Sequence, residues 1–165
     1  MEAPSVGEEH DIRGLSMSLG SRSPTDGSGP QSEVVNVAVD SGLVVVMSAG
    51  NNGPDNDGLG SPGAADQAIT VASMDDQSTV SRDDDLLSGF SSRGPRWDDG
   101  DGDAEDELKP EVTAPGGDSG EDEITSARGI GGGSQVGAGY HDMSGTSMAC
   151  PHVAGVVTLM LQADP

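Results

Sequence analysis

The spacing of hydrophobic and polar positions predicts an alternation of strands and helices along the chain. Residues 15–19 alternate apolar and small polar side chains and end at a glycine, which is typical of a short strand. Residues 30–41 begin with proline, carry apolar side chains at helical spacing and stop before a glycine, so they predict a helix. The continuous apolar run at 43–47 predicts a strand that is covered on both faces, and 68–72 is predicted to be another buried strand.

The second half of the chain adds shorter elements and one long helix. Segments 90–95 and 110–116 are predicted to be short strands that end in turns. A helix is predicted over 147–162, and the apolar run from 153 to 161 predicts that this helix is buried. Strand–helix–strand order with apolar strands is typical of a parallel sheet covered by helices. The predicted fold class is therefore α/β with a parallel sheet.

Charge is the feature of the composition that changes this picture most. The 165 residues include 29 acidic and 7 basic side chains, for a formal net charge of -22, and Lys109 is the only lysine. Such a surface repels nucleic acid and anionic membranes, and no window is apolar enough to span a membrane, so neither is expected as a partner. The acidic residues concentrate in loops, above all in an insert at 98–107. This distribution favours the solvated coat of a protein adapted to high salt over a binding stripe.

Cysteine and the acidic insert both argue against a metal site. Cys150 is the only cysteine, which excludes an intrachain disulfide and a cysteine-based zinc cluster and favours a small packed side chain. The insert begins like a calcium loop at Asp99, Asp101 and Asp103. However, Pro110 stands where such a loop requires glutamate, and an alanine stands where it requires glycine. No metal site is therefore predicted from the residues, and no cofactor is identified.

Two short segments carry candidate chemistry. Residues 145–155 read Gly-Thr-Ser-Met-Ala-Cys-Pro-His-Val-Ala-Gly and place Ser147 at the start of the last predicted helix. A rigid support and the positive end of a helix dipole suit a nucleophile, whereas a serine that only caps the helix is the alternative. Asn51 follows a buried strand in Ala-Gly-Asn-Asn-Gly, where its side-chain amide can donate to an oxyanion; a turn asparagine is the alternative.

These segments resemble, in order and almost letter for letter, the motifs of subtilisin-like serine proteases. The resemblance implies peptide-bond hydrolysis through an acyl-enzyme, in which Ser147 attacks and Asn51 stabilises the tetrahedral oxyanion. It also implies two walls that bind an extended peptide or protein substrate by strand addition beside a specificity pocket. The residues implied to form these walls are Ser18, Leu19 and Gly20 on one side and Ser48, Ala49 and Gly50 on the other.

The chain departs from the family in the other two members of the catalytic triad. Subtilisin-like proteases carry the aspartate in an Asp-Thr/Ser-Gly strand end and the histidine in a His-Gly-Thr-His helix start, and neither motif occurs here. We predict that His10 lies in a frayed segment, that His141 lies on a loop surface and that His152 is packed in its helix. The resemblance is therefore to the second part of the catalytic domain, and the implied fold is an incomplete parallel-sheet subtilisin-like fold.

The resemblance sets the remaining expectations. Residues 1–14 are predicted to be a poorly defined N-terminal segment, and 15–165 part of one peptidase domain, with 98–107 as its acidic insert. Secretion is implied by the family although 1–10 have no signal-peptide pattern, and calcium is a candidate only through the family. The N-terminal part of the domain is a candidate partner. Without it, the strands at 43–47 and 68–72 are expected to expose apolar edges and the chain to aggregate.

Three interpretations stay open at this point. The chain is part of a working endopeptidase, or an inactive remnant or pseudoprotease that at most binds extended peptides, or an acidic interaction protein.

Overall fold

The computed structural model describes residues 11–55, 57–103, 105, 107–118, 120, 122–128 and 139–164. In this part of the chain we find seven strands and two helices. In chain order they are β1 (Gly14–Met17), α1 (Pro30–Asp40), β2 (Val44–Ser48), β3 (Ile69–Asp75), β4 (Leu86–Leu87), β5 (Val112–Pro115), β6 (Ile124–Ala127), β7 (Tyr140–Met143) and α2 (Thr146–Ala163).

A mostly parallel sheet forms the centre of the molecule. β1, β2 and β3 pair in that order and in parallel, and β5 pairs in parallel with β3. The two-residue β4 pairs antiparallel with the end of β3, while β6 and β7 form a separate antiparallel pair. The α/β prediction with a parallel sheet is confirmed, and six predicted elements appear within a few residues of their predicted bounds.

One helix covers each face of the sheet. Val35 of α1 packs with Val45 and Met47 on one face, and Ala149 and Cys150 of α2 pack with residues of β2, β3 and β5 on the other. Cys150 is completely buried, as predicted for a small packed side chain. Because β2 is covered on both sides, its sequence from Val44 to Met47 is a continuous apolar run instead of an alternating one.

The expectation that β2 and β3 expose apolar edges is wrong. Val45, Val46 and Met47 are at most 1% exposed, because β1 and β3 pair with β2 on both sides. The open edge belongs to β1, which pairs with β2 alone among the described strands.

The prediction that the apolar run of α2 is buried is also wrong for half of the helix. Val156, Leu159 and Met160 are 56%, 65% and 65% exposed. The sheet contacts one stripe of α2, whereas the apolar residues extend around the helix, a pattern typical of helices that are buried on more than one side.

Segment 90–95 is not a strand, contrary to the prediction. The hydroxyl of Ser91 accepts a hydrogen bond from the Ser73 amide (3.0 Å), and that of Ser92 accepts one from the Asn52 amide (3.1 Å). Together with the backbone bond from the Ser92 amide to the Gly50 carbonyl (2.9 Å), these side chains connect the segment to β3 and to the loop after β2.

Buried basic side chains attach the acidic regions to the core. Lys109 is 4% exposed, and its ammonium donates to the carbonyls of Asp66 (3.0 Å) and Ala68 (2.8 Å) and to the Glu111 carboxylate. Arg96 is 2% exposed and forms ion pairs with Asp66 (3.0 Å) and Asp99 (3.1 Å). The acidic insert is therefore anchored at its start, through Asp99.

Candidate active site

Ser147 is the second residue of α2, immediately after a glycine turn. Gly145 has φ +151°, in the region that favours glycine, and its amide donates to the Gly116 carbonyl at the end of β5 (2.8 Å). A side chain at Gly116 would approach the Gly145 carbonyl to 2.7 Å, so this contact requires glycine. The Ser147 amide lies in the first turn of α2, where backbone N–H groups have no partner within the helix.

Thr146 joins the nucleophile turn to Asn51. The Asn51 Oδ1 atom accepts hydrogen bonds from the Thr146 amide (3.0 Å) and from the Thr146 hydroxyl (2.8 Å). The same hydroxyl accepts a hydrogen bond from the Gly50 amide (3.1 Å), and Thr146 as a whole is only 1% exposed. Because both bonds use the oxygen of the Asn51 amide, its Nδ2 donor is directed elsewhere. A Cβ placed on Gly145 would lie 3.2 Å from that nitrogen, which therefore sits beside the turn that carries Ser147.

The end of β1 also contacts the nucleophile turn. The Ser18 hydroxyl donates to the Ser147 carbonyl (2.9 Å). Since β1, β2 and β5 are parallel, their carboxyl ends meet at one edge of the sheet, and residues following all three strands contact 145–147. This edge is the usual location of active sites in open α/β sheets.

A polar pocket with a volume of 240 Å³ opens beside Ser147. One wall is formed by the chain after β1 and the other by the end of β2, so the structure brings together all eight of the residues predicted to form the site. The residues that line the pocket are Ser18, Leu19, Gly20, Ser21, Arg22, Ser48, Ala49, Gly50, Asn51, Asn52, Gly60, Thr146 and Ser147.

The two described histidines do not form a catalytic pair with Ser147. His152 is exposed, contrary to the prediction that it is packed, because no described element covers that side of α2. Its Nδ1 is 2.9 Å from the Met148 carbonyl; it lines a groove together with Ser147 but makes no hydrogen bond to it within the described contacts. His141 lies in β7, not in a loop, and is exposed as predicted. The prediction for His10 lies outside the described residues.

The pattern matches a family of proteases over the whole chain. The model of the subtilase family of peptidases matches residues 2–165. The chain belongs to the subtilase family. Serine protease AprX of Bacillus subtilis is 39% identical over 161 residues, which cover 92% of this chain and 34% of that protein. Pyrolysin of Pyrococcus furiosus is 35% identical over 98% of this chain and 12% of its own length.

Solved subtilase structures share the fold. Sphericase superposes with a TM-score of 0.70 at 30% identity, covering 96% of this chain and 46% of its own. The chain therefore has an incomplete subtilisin-like α/β fold, and it spans 34% of AprX, 12% of pyrolysin and 46% of the sphericase chain.

Sequence reasoning missed five residues that line the pocket: Ser21, Arg22, Asn52, Gly60 and Thr146. Thr146 stands inside the recognised motif, but its partner Asn51 is 95 residues away, and no local pattern connects them. Gly60 and Arg22 reach the pocket because the Ser21 amide donates to the Ser61 carbonyl (2.8 Å), which joins two loops.

Metal binding and membrane insertion find no support in the described part of the chain. No group of three or more His, Cys, Asp or Glu side chains is arranged there to hold a metal ion. No helix there combines the length and apolarity needed to cross a membrane.

Proposed function

We propose that this chain is the nucleophile-bearing portion of a subtilase-type serine endopeptidase. Ser147 attacks the carbonyl carbon of the scissile peptide bond, and the Asn51 side-chain amide with the Ser147 amide stabilises the resulting oxyanion. The substrate is an extended peptide or protein segment bound between Ser18–Gly20 and Ser48–Gly50. For the whole protein we propose secretion, by analogy with the family.

The observation that carries this proposal is the double hydrogen bond from Thr146 to Asn51 Oδ1. An asparagine in a turn has no need of a buried partner on a distant helix. Here the amide oxygen is fixed by two donors, which leaves its Nδ2 donor beside the nucleophile turn. A donor fixed before the reaction stabilises a developing negative charge without reorganisation.

Attack by Ser147 also requires a proton acceptor, and we propose that another polypeptide segment supplies it. Neither described histidine contacts the serine hydroxyl. The acceptor must therefore come from a segment that packs near the carboxyl ends of the parallel strands, where Ser147 lies.

The open edge of β1 is the place where that segment would add. A 510 Å³ apolar groove between β1 and α2 includes Val157 and Leu161, and a 340 Å³ groove between β1 and α1 includes Leu15 and Val34. A sheet edge with apolar grooves on both faces is suited to pair with a further strand whose two faces are covered by helices. Added in parallel, such a strand would end beside Ser147.

Handedness favours one position for the connection of that strand. The β1–α1–β2 crossover places α1 on one face of the sheet, and such crossovers are right-handed in about 98% of cases. Suppose that an additional strand pairs with the free edge of β1 and is followed along the chain by β1. The step from that strand to β1 then runs across the sheet in the same direction as the step from β1 to β2. Its crossover helix would therefore occupy the groove beside α1.

The occupant we propose is the remaining part of a subtilase catalytic domain. The relatives are two to eight times longer than the matched region, by the shares of their lengths that are covered. A second copy of this chain is disfavoured because each copy carries a formal charge of -22.

A hybrid enzyme tests the proposed function. The part of AprX that precedes its match to this chain is joined to the 165 residues, and hydrolysis of a chromogenic peptide is measured in about 1 M KCl. We expect turnover that Ser147→Ala abolishes and that Asn51→Ala lowers by about 10²–10³-fold in kcat, a magnitude borrowed from subtilisin itself. Ser81→Ala, in an exposed loop, is the matched control. A folded hybrid that hydrolyses nothing, or that keeps its turnover in Ser147→Ala, would contradict the proposal.

The docking edge is tested with the two parts as separate chains. Leu161→Asp, in the groove beside α2, should weaken their association by more than about tenfold, because it buries a charge. Leu86→Asp makes the same substitution at a more exposed leucine (60%) in β4, away from β1, and should leave association unchanged. Equal effects of the two substitutions would place the docking surface elsewhere.

Two finer points accompany this proposal. Subtilases commonly bind calcium, so calcium binding remains a proposal for the whole protein, and no step of the reaction described above uses it. For the chain by itself, the same pocket without a proton acceptor supports a second candidate function, binding of extended peptides without hydrolysis.

A further inference from the structure

One charged residue stands out in the lining of the pocket beside Ser147. Among the lining residues that the structure describes, Arg22 alone carries a formal charge. The chain has four times as many acidic as basic residues, so a pocket with a lone positive charge is opposite in sign to most of the surface.

The position of Arg22 is fixed by contacts on both sides along the chain. The Ser21 amide donates to the Ser61 carbonyl (2.8 Å), and the Thr25 amide donates to the Leu59 carbonyl (2.9 Å). Between them, the Arg22 carbonyl accepts from Asn52 Nδ2 at 3.5 Å. The backbone of Arg22 is thus held against the opposite wall of the pocket.

The guanidinium is available to a ligand. Arg22 is exposed and forms no ion pair with the residues that the structure describes, whereas Arg82, Arg96 and Lys109 all pair with carboxylates. A guanidinium presents several N–H donors in a geometry that matches a carboxylate.

The rest of the lining also suits a polar side chain. Hydroxyl and amide groups from Ser18, Ser21, Ser48 and Asn52 surround the pocket, and Leu19 is its only large apolar residue. Within this described lining a large aromatic side chain would have only Leu19 to pack against, whereas a carboxylate can accept hydrogen bonds from the guanidinium.

We propose that Arg22 makes this pocket selective for an acidic side chain, glutamate or aspartate, in the substrate residue that precedes the scissile bond. This inference rests on the proposed function, because it assumes that an extended peptide occupies the two walls. Arg22 would act by contact with the side-chain carboxylate and not through the long-range field of the protein, which repels acidic peptides.

Peptide binding to the hybrid enzyme that carries Ser147→Ala tests the inference without requiring hydrolysis. Fluorescein-labelled tetrapeptide amides that differ only in the last residue, Glu, Gln or Lys, are titrated in about 0.5 M KCl and followed by anisotropy. Exposed ion pairs contribute about 0.2–1 kcal/mol, so we expect Glu to bind about 1.4- to fivefold more tightly than Gln, and Lys more weakly than either.

Two substitutions separate the pocket from the overall charge. Arg22→Gln should reduce the Glu-to-Gln preference to one while leaving affinity for the Gln peptide unchanged, and Arg22→Glu should make Lys the preferred residue. Arg82→Gln changes net charge equally at an exposed arginine outside this pocket and should keep the preference.

The outcomes distinguish this inference from the function on which it rests. A Gln peptide that binds with no preference for Glu, or a preference that survives Arg22→Gln, overturns the role of Arg22 and leaves the peptide groove intact. Failure of all three peptides to bind overturns both the groove and the selectivity.

Discussion

At the scale of single residues, Thr146 connects the two groups proposed for catalysis. Its hydroxyl donates to Asn51 and accepts from Gly50, and its residue lies next to Ser147 in the chain. A buried hydroxyl with two partners is costly to remove, because its partners are left unsatisfied. Thr146 is therefore a positioning residue for the oxyanion donor.

Substitution of Thr146 should separate positioning from packing. In the hybrid enzyme, Thr146→Val should lower kcat by about five- to tenfold with little change in KM, since a lost hydrogen bond of about 1 kcal/mol affects only the transition state. Thr146→Ser should restore kcat to within about twofold. Steady-state kinetics of the two variants provide the measurement. Thr158→Val, an exposed threonine of the same helix, is the control, and equal losses from Val and Ser would argue against a role for the hydroxyl.

At the scale of elements, Lys109 joins the start of β3 to β5. Lys109→Met should lower the free energy of unfolding by about 2–3 kcal/mol, less than the 3–5 kcal/mol of a fully buried pair because the Glu111 side chain is 35% exposed. Denaturant unfolding followed by fluorescence of Trp97, the only tryptophan, measures this loss. Arg82→Met removes the same charge from an exposed ion pair and should cost less than about 1 kcal/mol. Similar losses in both variants would mean that net charge, not the buried bonds, explains the effect.

The anchor of the acidic insert gives a dependence on pH. The Asp101 amide, together with Arg96, lowers the pKa of Asp99 below its ordinary value of 3.8. A depressed pKa contributes stability that is present above pH 4 or so and is lost as the pH falls through the folded-state pKa. Asp99→Asn should therefore destabilise the chain at pH 7, and the difference from the wild type should shrink below about pH 4. Unfolding at a series of pH values, with Asp83→Asn as the control, tests this; a difference that grows on acidification would contradict it.

At the scale of the whole molecule, charge repulsion limits stability. With a formal charge of -22, the folded chain should gain stability as salt screens its acidic side chains. The screening length falls from about 10 Å at 0.1 M to about 3 Å at 1 M salt, so the melting temperature should rise over this range of KCl. Sucrose at equal osmolality is the uncharged control, and a melting temperature independent of KCl would refute the expectation.

The uncovered surfaces predict how the isolated chain behaves. The β1 edge and the exposed apolar residues of α2 should cause the 165-residue chain to associate or remain partly unfolded even in high salt. Sedimentation velocity and calorimetry in about 2 M KCl provide the measurement. A cooperative thermal transition of a monomer would count against this prediction, whereas association relieved by the preceding part of a subtilase domain would support it.

The sequence by itself determined the local elements and their order. The spacing of apolar residues located β1, α1, β2, β3 and α2, because the side chains that a strand or helix buries recur along the sequence with the period of that element. The motif around Ser147 and the glycine-flanked Asn51 located candidate chemistry, because each depends on its immediate neighbours. Segment 90–95 was wrongly predicted to be a strand. Its serine hydroxyls accept hydrogen bonds from Asn52 and Ser73, which lie far away along the chain, and no local pattern shows such bonds.

The tertiary structure alone decided which groups meet and which remain uncovered. The bond from Thr146 to Asn51 and the place of Arg22 in the pocket join residues far apart in the chain, and no local pattern encodes such a distance. Exposure of α2 and of the β1 edge was likewise decided by which elements are present to pack against them. Burial is a property of the neighbours of a side chain, and the apolar sequence of α2 is the same whether those neighbours are there or not.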